Sequence, residues 1–222
     1  MLWSKQLAPD GSGNGVWQIA EDEAKLLALL ETVVPPLAFK QLQMDVGRFR
    51  NTGRRCEWLA VRTLLAQCLG GGRAIAYDEA SGKPFLSDHS YEISISHTRG
   101  FAALAWHPTL PVGIDIERRS DRVLRVVKKF VNTTEREALG ASGYASPEGE
   151  LVLWTAKEAL YKAIGIRGLD FLNALTVKLS PAGTKRSTAF CKADGRTYEV
   201  LTSLAAEYVM SIVKPIHNPF QS

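Results

Sequence analysis

The pentapeptide Gly113-Ile114-Asp115-Ile116-Glu117 sets two carboxylates two residues apart between β-branched neighbours. In an extended chain alternate side chains share a face, so Asp115 and Glu117 stand side by side while Ile114 and Ile116 point inward. Adjacent like charges repel unless a cation lies between them, and a set of oxygen donors suits magnesium. The same pattern fits an edge strand with a solvated polar face. Gly113 ahead of it permits the close approach of another backbone or of a ligand. Further along, Trp154-Thr155-Ala156-Lys157-Glu158-Ala159-Leu160-Tyr161-Lys162 has helical spacing. Glu158 and Lys162, four apart, form either an ordinary exposed ion pair or a third carboxylate with a cation that can touch a phosphate. Two more cations have suggestive settings. Lys83 precedes Pro84 in a turn, and His97 closes a strand beside Ser96, whose hydroxyl can donate to a phosphate oxygen. Alone, each also fits a solvated turn lysine or a half-buried histidine with a hydrogen bond.

These residues need elements to hold them. Residues 11–15 read as a loop and 16–20 as a short strand, and residues 21–30 have helical periodicity that Pro35-Pro36 bars from continuing. Apolar spacing predicts a helix over 55–69, ended by Gly70-Gly71-Gly72. A turn at 81–84 follows, then strands over 92–96 and 101–106 joined by Thr98-Arg99-Gly100. Residues 112–117 read as a strand, and Thr134 with Glu137 has the capping-box pattern at a helix start. Residues 148–164 form a long helix whose core stripe is Leu153, Ala156, Leu160, Ala163 and Ile164, with Glu158 and Lys162 on the opposite face. Strands over 175–179, 197–201 and 208–213 complete an α+β pattern of two similar halves, 1–111 and 112–222.

The 222 residues carry a net charge of +4 and are 45% hydrophobic, which is ordinary for a soluble chain with its own core. Cys56, Cys68 and Cys191 are widely spaced, and His89, His97, His107 and His217 show no ligand spacing with them. A disulfide framework or zinc site is therefore not expected, and a reducing cytoplasm is. No apolar stretch is long enough for export or for crossing a bilayer.

In combination the motifs are specific. Gly-Ile-Asp-Ile-Glu followed by Trp-Thr-x-Lys-Glu-Ala-x-x-Lys resembles the bipartite signature of the 4′-phosphopantetheinyl transferases. The resemblance spans roughly residues 48–179. Ser81-Gly82-Lys83-Pro84 looks like the family's Gly-Lys-Pro turn, and Ser94-Ile95-Ser96-His97 like its Ser-x-Ser-His strand end. Arg54-Arg55 matches the basic helix start of the larger, surfactin-type members, and Phe130 with Thr134-Glu135-x-Glu137 falls where the family has its Phe-x-x-x-Glu stretch. The resemblance implies a pseudo-twofold α+β fold, two similar halves with the active site in the cleft between them. It implies coenzyme A as donor, an acyl or peptidyl carrier protein as acceptor, and Mg2+ held by Asp115, Glu117 and Glu158. It assigns Glu158 and Lys162 to catalysis and Arg55, Lys83, Ser96, His97 and Lys162 to coenzyme A, with Arg54 able to replace Arg55. The first half would then contact the donor's phosphates and adenosine, and the second would carry magnesium and the catalytic groups. The expected protein is a cytoplasmic monomer that engages neither nucleic acid nor membrane.

Two other classes use similar residues. A metal-dependent nuclease could anchor magnesium on the same acids, but the Asp…Glu-x-Lys type places lysine two residues after the acid, where this chain has Arg119 after Glu117 and Leu160 after Glu158. A non-catalytic nucleotide or carrier-protein binding module needs neither three carboxylates nor Lys162. One basic segment stands apart. Six cations interleave with four aliphatic residues over 118–129, and if helical, Val123, Val126 and Val127 share one face with the arginines along another.

Overall fold

The computed structural model describes residues 2–216; Met1 and the segment from His217 onward lie outside the described residues. The chain divides into two units at Thr109 and Leu110. In the first, β1 (Leu2–Leu7) and β2 (Gly13–Gln18) pair antiparallel, so the strand expected at 16–20 begins within the anticipated loop. Asp22 caps α1 (Glu23–Val33) by accepting from the Lys25 N–H at 2.9 Å. Pro35-Pro36 ends that helix but also starts another, α2 (Pro36–Val46), because proline at the first helical position loses no intrahelical bond. Asn51 caps α3 (Thr52–Leu69), which buries Leu59, Val61, Leu64 and Leu65. A hairpin of two three-residue strands follows, β3 (Ile75–Tyr77) with β4 (Pro84–Leu86). Then β5 (Glu92–Thr98) and β6 (Phe101–His107) complete a sheet in the order β1-β2-β6-β5. Every residue of β6 is buried, and Leu104 and Trp106 pack with α3 and Ile93 as the core of this unit.

The second unit opens with β7 (Gly113–Arg118) and two short 3₁₀ turns, Asp121–Arg125 and Val127–Lys129. The segment over 118–129, which would share its valines on one face if helical, is therefore not α-helical. Val123 at 6% exposure and Phe130 at 1% are both drawn into the core, and i→i−3 bonds such as Val126 N–H to Val123 carbonyl close the short turns between them. Next come α4 (Thr133–Ser142) and α5 (Glu148–Ile164). The capping box of α4 is Asn132 with Glu135, two residues before the anticipated pair. Glu135 is fixed there because its carboxylate is buried and shared with α5, as described below. Gly165, at φ 72°, ends α5 in the left-handed conformation with its N–H on the Tyr161 carbonyl. Strands β8 (Leu175–Lys178), β9 (Arg186–Cys191), β10 (Thr197–Leu204) and β11 (Tyr208–Pro215) form an antiparallel sheet in the order β7-β11-β10-β9-β8. Helix α5 covers one face of it, burying Leu153, Ala156, Ala159, Leu160 and Ala163 against Val200, Val209 and Val213. Among the described residues no helix is long and apolar enough to cross a membrane.

Candidate active site

The acidic strand is held directly under α5. A Cβ built at Gly113 would lie 1.8 Å from the Ala159 carbonyl oxygen and 2.8 Å from the Ala163 N–H nitrogen. Gly113 thus meets the backbone of α5, and the small side chains Ala159 and Ala163 allow that approach. Gly113→Ala is expected to push helix and strand apart and to cost at least about 3 kcal/mol, at the upper end of overpacking. A fall in the denaturation midpoint at constant m-value checks this.

Residues two apart share a strand face, so Asp115 and Glu117 follow Gly113 onto the side of β7 that meets the helix. The helix answers with Trp154, Glu158 and Lys162, spaced by four and so aligned on one face. The Trp154 indole N–H donates to Glu117 Oε1 at 3.4 Å. Lys162 Nζ donates to Asp115 Oδ1 at 2.7 Å and to the Ile114 carbonyl at 3.1 Å. Asp115 is only 5% exposed, which overturns the reading of a solvated strand face. Glu158 and Lys162 likewise flank the core stripe rather than oppose it. Lys162 reaches the strand, and Glu158 is partly buried.

Burial, then the charges of Asp115 and Glu117, push the Glu158 carboxyl up to about 7, while Lys162 opposes the shift. This carboxyl binds its proton more tightly folded than unfolded. It is protonated in both states well below 4.5, and folding then bears no cost of ionising it. Between 4.5 and about 7 the unfolded chain gains by ionising first, so stability is lost as pH rises through that window. In chelator, Glu158→Gln should therefore become more stable relative to the parent as pH rises from 4.5 to 8, by a few kcal/mol in all. Parallel denaturation curves across that range check the sign.

Side chains not singled out in the sequence brace this face. Ser211 is the cross-strand partner of Asp115 on β11. Its hydroxyl lies 2.8 Å from Thr155 Oγ1 on α5 and 3.3 Å from Thr202 Oγ1 on β10. Lys157, next to Glu158, is wholly buried. Its ammonium donates to Glu135 Oε2 at 2.8 Å and to the Phe130 and Phe171 carbonyls at 2.5 and 2.7 Å, using all three of its protons. Burial pulls its pKa down, and Glu135 opposes that shift. Glu135 in turn accepts from the Asn132 and Val177 N–H groups. The only available signal was the location of Lys157 one residue before Glu158, and spacing cannot tell a buried lysine from an exposed one.

Asp115, Glu117 and Glu158 suit a hard divalent cation in kind, since they are three oxygen donors, and the charges of Asp115 and Glu117 add to the burial that raises Glu158. They are not a preformed cage. Among the described residues no three His, Cys, Asp or Glu side chains stand close enough together to hold a metal ion.

The cations expected to meet phosphates lie in the first unit. Arg55, in the first turn of α3, donates through Nε to the Phe49 carbonyl at 2.6 Å and pairs with Glu23 at 3.4 Å. Its neighbour Arg54 contacts the His97 ring and also pairs with Glu57 at 3.3 Å. His97 and Ser96, adjacent in sequence, leave opposite faces of β5. His97 faces α3, where Glu57 stands 3.4 Å from its Nδ1, and Ser96 is buried on the other side. Lys83 is tied to Glu92 at 3.2 Å, at the start of β5 and about 17 Å along the strand from His97. The structure thus gathers Arg54, Glu57 and His97 and holds Lys83 at the other end of the strand.

A sequence-family model described as the 4′-phosphopantetheinyl transferase superfamily matches residues 111–213, the stretch that contains Asp115, Glu117, Glu158 and Lys162. That stretch makes up nearly all of the second unit. The chain is also similar to L-aminoadipate-semialdehyde dehydrogenase-phosphopantetheinyl transferase of Pongo abelii, 33% identical over 120 residues, 46% of this chain and 38% of that protein. It is 37% identical over 87 residues to 4′-phosphopantetheinyl transferase gsp of Aneurinibacillus migulanus, 38% of this chain and 35% of that protein. The match therefore spans little more than a third of either relative's length.

Proposed function

We propose that this chain transfers the 4′-phosphopantetheine arm of coenzyme A to a serine of an acyl or peptidyl carrier protein and releases 3′,5′-ADP. The observation that carries this reading is the Lys162–Asp115 contact at 2.7 Å, with Glu158 one helical turn before Lys162, inside the segment that matches the transferase superfamily. Names of both similar proteins support it.

In this reading Asp115, Glu117 and Glu158 hold Mg2+, which supplies Lewis-acid neutralisation of the donor pyrophosphate when bound. The serine Oγ forms a bond to the phosphorus that carries the pantetheine arm, and the bond from that phosphorus to the bridging pyrophosphate oxygen breaks. Serine is a weak nucleophile at neutral pH and needs a base. Glu158 accepts its proton, directly or through water. Lys162 stabilises the charge that develops on the leaving 3′,5′-ADP, as a fixed donor does at an oxyanion. Lys83, Ser96, His97 and either Arg54 or Arg55 contact the phosphates of coenzyme A. Arg54 is the better candidate of the two arginines, because it already stands at His97 while Arg55 is occupied by Phe49 and Glu23. The reading includes the pseudo-twofold relation of the halves, the surfactin type, and a cytoplasmic monomer. Its test is to follow two isotopes in the donor. Label in the pantetheine must end on protein, and label in the adenosine must leave as 3′,5′-ADP. Both labels remaining in intact coenzyme A would reject it.

A further inference from the structure

Three buried hydroxyls beside the acids take no part in this chemistry. Ser211 on β11 is opposite Asp115 on β7 and, on its other side, opposite Thr202 on β10, so the three side chains form one row across the sheet beneath α5. Ser211 is wholly buried, and its neighbours on the same strand face, Val209 and Val213, are buried valines packed with α5. Packing alone would be met there by a third valine, since a buried hydroxyl costs stability unless it is hydrogen bonded. Ser211 is bonded on both sides, 2.8 Å from Thr155 Oγ1 and 3.3 Å from Thr202 Oγ1. Thr155 donates to the Val152 carbonyl at 3.2 Å, so its oxygen accepts from Ser211, and Ser211 in turn accepts from Thr202. Every hydroxyl proton in the chain then has an acceptor.

We propose that Ser211 is a positioning residue for the transfer site: its bond to Thr155 fixes the rotation of α5 over β7 and thereby sets Glu158 against Asp115. The proposal rests on the transfer reading above. Thr155, Ala159 and Ala163 follow one another at four-residue spacing and so form one row along the helix. Ala159 and Ala163 meet the backbone of Gly113, and Thr155 is tied to Ser211. Glu158 lies between these two points of attachment. Apolar packing has no preferred direction, whereas a hydroxyl bond of 2.8 Å does. Two other polar contacts from α5 to β7, Lys162 to Asp115 and Trp154 to Glu117, use groups of the site itself. The Ser211–Thr155 bond uses none of them, so it holds the helix whatever those groups bind.

The test uses Ser211→Ala, Thr155→Val, Thr155→Ser and Thr202→Val. The last removes a hydroxyl from the same row but leaves the Ser211–Thr155 bond, so it controls for lost stability. Loss of one such bond should lower the melting temperature by roughly 2–4 °C in each case. With coenzyme A, magnesium and an apo acyl carrier protein, Ser211→Ala and Thr155→Val should each lower kcat by about tenfold, since small misplacements of a reacting group are costly. KM for either substrate should stay within about twofold of the parent. Thr155→Ser keeps the hydroxyl and should restore most of kcat, and Thr202→Val should retain all of it. A second readout needs no turnover. The indole N–H resonance of Trp154, assigned by its loss in Trp154→Phe, should shift in metal-free Ser211→Ala, a change far from Trp154 in sequence, and stay in place in Thr202→Val. Parental kcat in Ser211→Ala, an equal loss in Thr202→Val, or no rescue by Thr155→Ser overturns the positioning role. Thr155→Val carries the same kinetic test if Ser211→Ala does not fold. If the parent modifies no carrier at all, the transfer reading falls, and the Trp154 resonance alone decides whether Ser211 sets the helix.

Discussion

Asp115→Asn is expected to lower phosphopantetheine transfer by about 10³-fold or more while the protein stays folded. The amide keeps the shape of the carboxylate and leaves an oxygen for Lys162 Nζ, now 2.7 Å from Asp115 Oδ1. What disappears is the negative charge that, in the proposed mechanism, holds the cation beside the pyrophosphate. Magnesium titration should shift with the variant, and a stability curve matching the parent would show that charge rather than structure was lost. Lys162→Met probes the other partner. If it acts on charge developing at the leaving group, kcat falls more than coenzyme A binding does. A raised KM at constant kcat would make Lys162 a binding residue only.

The second large effect concerns a lysine with a structural task. Lys157→Met should cost about 3–5 kcal/mol of stability, because it leaves Glu135 buried with its cation removed and two carbonyls without their donor. Loss of the thermal transition, or a midpoint far below the parent, is the expected readout. Lys162→Met should lower the midpoint by less than Lys157→Met, since Lys162 is 28% exposed, although it too leaves a buried carboxylate, Asp115, without its cation. Lys157→Met paired with Glu135→Leu removes both charges and should recover much of the loss. Failure of the double variant to recover any stability would mean that the hydrogen bonds of the pair, to the Phe130 and Phe171 carbonyls and from the Asn132 and Val177 N–H groups, carry the effect rather than the charge balance.

The contrast between these two lysines marks where sequence reading stops. Long periodic elements were legible. Helix α5 was expected over 148–164 and runs over those residues, since its apolar stripe and Gly165 fix both its face and its end. The α+β character was legible for the same reason. Short or compositionally muted elements were not. The inward residues of β9 are Ser187, Ala189 and Cys191, too small to announce an alternating strand, and β3 and β4 are three residues each. Two prolines hid α2, because the residue that ends one helix is also permitted to begin the next. Within the site, sequence grouped Asp115, Glu117, Glu158 and Lys162, and the fold brings β7 and α5 together along those residues. Burial was beyond reach. Whether a strand carboxylate faces water or a helix depends on what packs over it, and Gly113 pointed to a close approach without saying by what. The same limit applies to Ser96 and His97, neighbours in sequence whose strand geometry sends them to opposite faces.

The most direct measurement is the intact mass of an apo carrier protein after incubation with this chain, coenzyme A and magnesium. The expected result is a gain of one phosphopantetheine arm, localised to a serine, that is abolished by Asp115→Asn and by chelation. A panel of acyl and peptidyl carrier proteins left at their starting mass, with the chain folded and coenzyme A intact, would contradict it.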